Sequence, residues 1–187
     1  MDTTTRSRGL PIRRLLLVGA AAAGIALMAG GTVLGGNGGR IQDVRAATAK
    51  YHDVDVAKAD GFGEFYVCTD ENSGKGAMGQ HFANGDRVGD PSLDELKPEV
   101  LVYQPLRGGG YRLVGVEYVV LADAWDALHA NPPVLFGDHE LTRMPADNRY
   151  GLPEFYQLHA WVWHPNPRGL FDDWSSKVSC LGNGDPA

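Results

Sequence analysis

The chain predicts an α+β fold: one domain, an N-terminal helix packed on an antiparallel sheet, behind an export signal or anchor helix. Three observations carry this. Residues 41–60 repeat apolar side chains at helical spacing, later runs alternate with period two, and the first 35 residues form a charged, then apolar, leader.

The leader comes first. Arg6, Arg8, Arg13 and Arg14 precede an uncharged stretch over residues 15–35. Adjacent arginines followed by Leu15, Leu16 and Leu17 resemble a bacterial twin-arginine signal, although Ile12 stands where Ser or Thr is preferred. The stretch is long enough to cross a hydrocarbon core of about 30 Å, so an uncleaved anchor with its N-terminus inside is the alternative to a cleaved signal. Gly19, Gly24, Gly30, Gly31 and Gly35 keep its hydropathy modest. Ala47-Thr48-Ala49 is the nearest small-x-small pattern, yet it falls inside the helical segment. Residues 1–40 are therefore assigned to the signal and a Gly-rich linker. Residues 41–187, about 147 of them, form the domain.

In residues 41–60, Ile41, Val44, Ala47, Tyr51, Val54 and Ala57 recur every three or four positions, predicting a helix stopped by Gly61 and Gly63. Residues 62–69 read as a strand and residues 70–79 as a turn-rich loop. Ser92 and Glu95 have capping-box spacing, with Pro98 limiting any helix to a turn or two. Residues 99–104 and 111–121 form a hairpin about Arg107-Gly108-Gly109-Gly110. Residues 122–130 read as a short helix, broken by Pro132-Pro133. A long loop, 137–153, suggests a lid or binding segment. Residues 154–163 are the last strand, and residues 165–180 an irregular tail.

The formal net charge of −6 understates the domain's acidity, because the leader holds Arg6, Arg8, Arg13, Arg14 and Arg40 but one acid, Asp2. Such a surface repels phosphate backbones, which excludes nucleic acid as a partner, and membrane contact is expected only through the N-terminal segment. The two cysteines, Cys68 and Cys180, predict one disulfide in an oxidising compartment. Closing so long a loop stabilises by about 4–5 kcal/mol in the chain-entropy model.

Strand parity then points to a pocket. In the strand 111–121, one face is Val114, Val116, Tyr118 and Val120; the other is Tyr111, Leu113, Gly115, Glu117 and Val119. In the strand 154–163, one face is Tyr156, Leu158, Ala160 and Val162; the other is Phe155, Gln157, His159, Trp161 and Trp163. Each strand has one plain face and one aromatic face bearing a single ionisable group. A carboxylate in such company is costly to bury unless paired, protonated or bound to a cation. Glu117 and His159 are thus expected in a concave pocket with Tyr111, Phe155, Gln157, Trp161 and Trp163. His81, following the glycines of the loop, completes a set of two imidazoles and one carboxylate. That set suits a divalent metal, zinc or non-haem iron, with open positions. A solvated Glu117 and a hydrogen-bonded core histidine are the plain alternatives. His52, His129, His139 and His164 carry no such pattern. The Ser-elbow, phosphate-loop and calcium-loop patterns are each incomplete.

Several segments together resemble a family of small exported bacterial proteins, common in actinobacteria, without an established activity. They are Ala57-x-Ala59-Asp60-Gly61-Phe62, Met78-Gly79-Gln80-His81-Phe82, Gly115-Val116-Glu117-Tyr118, and Leu158-His159-Ala160-Trp161 with Asn166-Pro167 and Cys180. The resemblance spans residues 45–180 and implies a shared fold and a shared site at these segments, but no reaction. The expected function is an exported domain whose aromatic-lined pocket binds a small molecule or a metal ion. In a catalytic version the metal acts as Lewis acid or dioxygen centre, with Glu117 as ligand or general base. The alternatives are a metal-free carrier and a non-enzymatic envelope or secreted interaction protein.

Overall fold

The computed structural model describes Met1, residues 37–71 and residues 74–181. The leader expected over most of residues 1–40 lies outside them, and among the described residues no helix is long and apolar enough to cross a membrane.

The fold is α+β, with an antiparallel six-stranded sheet at its centre. Its strands are β1 (Phe62–Glu71), β2 (Gly76–Asn84), β3 (Val100–Pro105), β4 (Tyr111–Leu121), β7 (Thr142–Met144) and β8 (Phe155–Ala160), in the order β1-β2-β3-β4-β8-β7. Two short strands, β5 (Val134–Leu135) and β6 (His139–Glu140), pair separately. The helices are α1 (Asn37–Thr48), α2 (Val54–Ala59), α3 (Gly85–Val88) and α4 (Ala122–Asp126).

The helical segment differs from its expectation. It starts at Asn37, inside the stretch read as linker, and breaks into α1, a 3-10 turn over Ala49–His52, and α2. Asp53 causes the break: its backbone is extended and its carboxylate accepts from the Asp55 N–H, capping α2. Ile41, Val44, Tyr51 and Ala57 still share one buried face. They pack on Phe82, Leu101, Tyr103, Val116, Tyr118 and Leu158, so the plain strand faces do cover the helices. The polar atoms on this side are satisfied: the Tyr103 hydroxyl donates to the Tyr51 carbonyl at 2.7 Å and the Tyr118 hydroxyl to the Glu95 carbonyl at 2.7 Å.

Three further expectations are corrected. The loop 70–79 is mostly strand, because β1 continues to Glu71 and β2 begins at Gly76. Glycine hid it: Gly79 has φ 103°, and a Cβ there would stand 2.7 Å from the Tyr103 carbonyl oxygen. Ser92 and Glu95 start no helix; the Glu95 carboxylate instead pairs with Arg40 at 2.7 Å and accepts from the Phe136 N–H at 2.6 Å. The region 137–153 contains β6 and β7, and β7 pairs with β8. The disulfide between Cys68 and Cys180 is present, tying β1 to the C-terminal tail across a separation of 112 residues.

Candidate metal centre

Side chains on one face of a sheet line up when their residues are register partners. Glu117 on β4 is the partner of His159 on β8, and on its other side of Val100 on β3. His81 on β2 faces Val102 of β3, two residues along. His81, Glu117 and His159 therefore share a face, with small Val100 and Val102 beneath. The face is concave enough for β2 to reach over β3. His81 Nε2 lies 3.5 Å from Glu117 Oε2, and His159 Nδ1 lies 3.9 Å from Glu117 Oε1.

One ligand atom from each of the three falls within 4.8 Å of the others. Two donors on one ion, each at about 2.1 Å, stand no more than about 4.2 Å apart. The two measured separations are to different oxygens of the Glu117 carboxylate, so holding all three residues on one ion requires the set to close by up to about 0.6 Å from its 4.8 Å span.

Burial sets the electrostatics. His81, Glu117 and His159 are 4 %, 6 % and 0 % exposed. Loss of hydration pushes His81 down to about 4 and His159 well below its ordinary value, the latter also feeling His81. Burial pushes Glu117 up to about 8, with smaller contributions from Asp173 and Glu99. A buried ion pair shifts its members the other way, so burial here favours the neutral form of all three groups. None of the four imidazole nitrogens has a hydrogen-bond partner. A buried N–H or ring nitrogen left unmatched costs about 1–3 kcal/mol, so this cluster is a burden to the folded chain without a ligand.

The remaining expected pocket residues divide. Phe155 lines an apolar cavity of about 220 Å³ together with Phe65, Val88, Val119, Tyr150 and Leu152, and the cavity opens onto His81 and Glu117. His159 is sealed behind them, its ring 5.1 Å from that of Trp161. Trp161 keeps to the site face but packs with Val102, Val114 and the Cys68–Cys180 disulfide rather than lining the cavity. Gln157 is also on this face, in a neighbouring cleft.

Tyr111 and Trp163 are misplaced by simple parity. The register slips between Val102 and Tyr103 of β3, so Tyr103 pairs with Leu113 and Val114 is the extra residue. Parity reverses there, sending Tyr111 and Leu113 to the helix side, where Tyr111 packs on Phe82 and Tyr103. The strand β8 ends at Ala160, and the chain turns as the Val162 N–H bonds the Ala160 carbonyl. Trp163 consequently reaches the helices, donating to the Thr48 hydroxyl at 3.1 Å and packing edge-on against His52. Sequence reasoning missed Phe65, Tyr150 and Asp173. Tyr150 and Asp173 come from irregular segments whose facing no periodicity encodes.

Gly115 lets this architecture close. It carries no side chain where a Cβ would come within 2.8 Å of the Ala160 carbonyl oxygen. Any larger residue would push β8, and with it His159, away from Glu117. Compared with known proteins, the chain matches no family model, no curated protein and no solved structure, so its chemistry is read from these side chains alone.

Proposed function

We propose that this is an exported domain that binds one divalent transition-metal ion through His81, Glu117 and His159, beneath a cavity for a small apolar ligand. One observation carries the reading: two buried imidazoles, none of whose nitrogens has a hydrogen-bond partner, each bring one nitrogen within 3.9 Å of a single buried carboxylate. Two imidazoles and a carboxylate suit zinc or ferrous iron, and three protein ligands leave positions open. The open side faces the cavity, whose lining includes His81 and Glu117. The ion supplies Lewis acidity or a dioxygen-binding position there, and the apolar walls keep bulk water away. An engineered cavity of roughly 150 Å³ admits benzene, so about 220 Å³ suits a single aromatic ring or a short acyl chain.

Export is the second part of the proposal. It is supported by the Arg13-Arg14 leader and by the Cys68–Cys180 disulfide, a bond that favours oxidising compartments. The resemblance to small exported actinobacterial proteins belongs to the same reading.

The test is elemental analysis of the protein purified from its native compartment, followed by titration of the stripped protein with Zn(II) and Fe(II). One ion per chain is expected. Glu117→Gln should weaken binding at least 100-fold, about 2.7 kcal/mol, with the fold intact by circular dichroism. A chain that takes up neither ion would sink the metal reading and leave the cavity as a metal-free carrier site. Export through the leader is checked separately by removing residues 1–36, ahead of α1, and locating the product; a shortened chain still found outside overturns the role given to Arg13-Arg14.

A further inference from the structure

A metal ion on the three side chains would carry a charge that its surroundings do not balance. Coordinating imidazoles are neutral and a coordinating carboxylate is ionised, so a divalent ion on His81, Glu117 and His159 leaves one net positive charge. The adjoining cavity offers nothing to offset it. Apart from His81 and Glu117, no ionisable side chain but Tyr150 lines the cavity, and the remaining walls are aliphatic or aromatic. The Tyr150 hydroxyl is turned to Met78 Sδ at 3.7 Å, and burial holds the phenol in its neutral form. Two other acids act on Glu117, and neither lines the cavity. Glu99 is engaged by the Val119 N–H at 3.1 Å. Asp173 lines the neighbouring cleft, where burial and then Asp172 press it toward its neutral form.

An uncompensated charge beside an apolar space is costly, so the fitting ligand brings one negative charge and an apolar body. A small inorganic anion matches the charge but gains nothing from the walls, whereas a ring or short chain does. A phenol loses its proton only near pH ~10, while a carboxylic acid is already ionised at neutrality. We propose that the cavity takes a small monocarboxylate, its carboxylate toward the His81, Glu117 and His159 centre and its aromatic ring or short aliphatic chain against Phe65, Val88, Val119, Leu152 and Phe155. The inference rests on the metal reading and deepens it by naming the ligand class.

The test is calorimetric titration of the purified chain, stripped and loaded with Zn(II), against benzoate, benzamide, benzamidine and acetate. On the loaded chain benzoate is expected to bind at least tenfold more tightly than benzamide, its neutral counterpart, with cationic benzamidine the weakest. It should also exceed acetate at least tenfold, since acetate lacks the ring. The stripped chain should show no preference for benzoate over benzamide. Val88→Phe, which fills part of the cavity, should weaken benzoate at least tenfold and leave acetate unchanged. The inference falls if benzamide matches benzoate on the loaded chain or if the preference survives without Zn(II). It falls equally if Val88→Phe leaves benzoate as it was. Zn(II) content of the same samples separates these results from the metal proposal. A chain with one ion and no preference for benzoate overturns the ligand class alone; a chain that takes up no ion overturns both.

Discussion

The helix side of the central sheet carries the larger apolar cluster, and the two faces differ further in how they treat polar atoms. On the helix side, the buried hydroxyls of Tyr103 and Tyr118 each reach a backbone carbonyl, and Trp163 reaches Thr48. On the site side, His81, His159 and Gln157 account for five of the six buried side-chain atoms left without partners among the described residues; His164, beyond β8, accounts for the sixth. The helix face is what stability selects: tight packing with each polar group matched. The site face gives up stability for groups that can bind something, which is how strain and unmatched polarity come to mark function.

The largest expected effect tests whether the site face needs its outer clamp. The disulfide belongs to the same cluster as Trp161, which packs against His159. Replacing Cys68 and Cys180 by serine should cost about 4–5 kcal/mol in urea unfolding, since the constrained loop is long. A loss below about 1 kcal/mol would mean that the unfolded chain is already restrained there.

Next in size is a direct contrast between the faces. Leu101→Ala on the helix side should lose about 3 kcal/mol by leaving a cavity under α1 and α2, with metal uptake kept. Glu117→Leu on the site side should remove metal uptake yet leave the metal-free chain at least as stable, because it replaces an unpaired buried carboxyl by an apolar group. Thermal melts of the stripped proteins make the comparison. If Glu117→Leu proved as damaging as Leu101→Ala, the faces would not differ in the way described.

The smallest effect is a pH dependence. Glu117 and Glu99 are both raised to about 8 by burial, so the folded chain holds protons that the unfolded chain releases above its ordinary carboxylate range. Their contribution is complete at low pH and lost as pH rises toward 8. His81, lowered to about 4, and His159 act oppositely, losing stability as pH falls below 6.5, and so oppose the carboxyls on the acid side. Asp173, also raised, adds to the carboxyl side. The metal-free protein should therefore lose stability from pH 6.5 to about 8, and Glu117→Gln should remove about half of that decline. A flat profile would mean that Glu117 is already ionised.

Much of the site was legible because alternation along a strand is a local rule. Glu117 and His159 fall on one face whatever surrounds them, and their partnership follows from β4 and β8 being neighbours. Legibility ended where the rule is interrupted. The slip opposite Val102 and Tyr103 inverted Tyr111, and the end of β8 at Ala160 freed Trp163. His81 was found as a residue but not as part of a strand, since Gly76 and Gly79 at positive φ make β2 read as a loop. The single helix over 41–60 failed for a related reason: periodicity survives a break if the pieces keep one face. Gln157, on β8, was legible by parity, whereas Asp173 gave no signal at all, because loops that meet in space need share no pattern.

The three residues of the site come from β2, β4 and β8, whose pairing joins distant parts of the chain. Long-range pairing of this kind forms late, after the cost of closing the intervening loops has been met. A chain with β8 still undocked offers an ion His81 and Glu117 but not His159. An ion held as proposed would thus bind tightly only to molecules whose sheet is finished, and would draw the population toward the completed form by mass action.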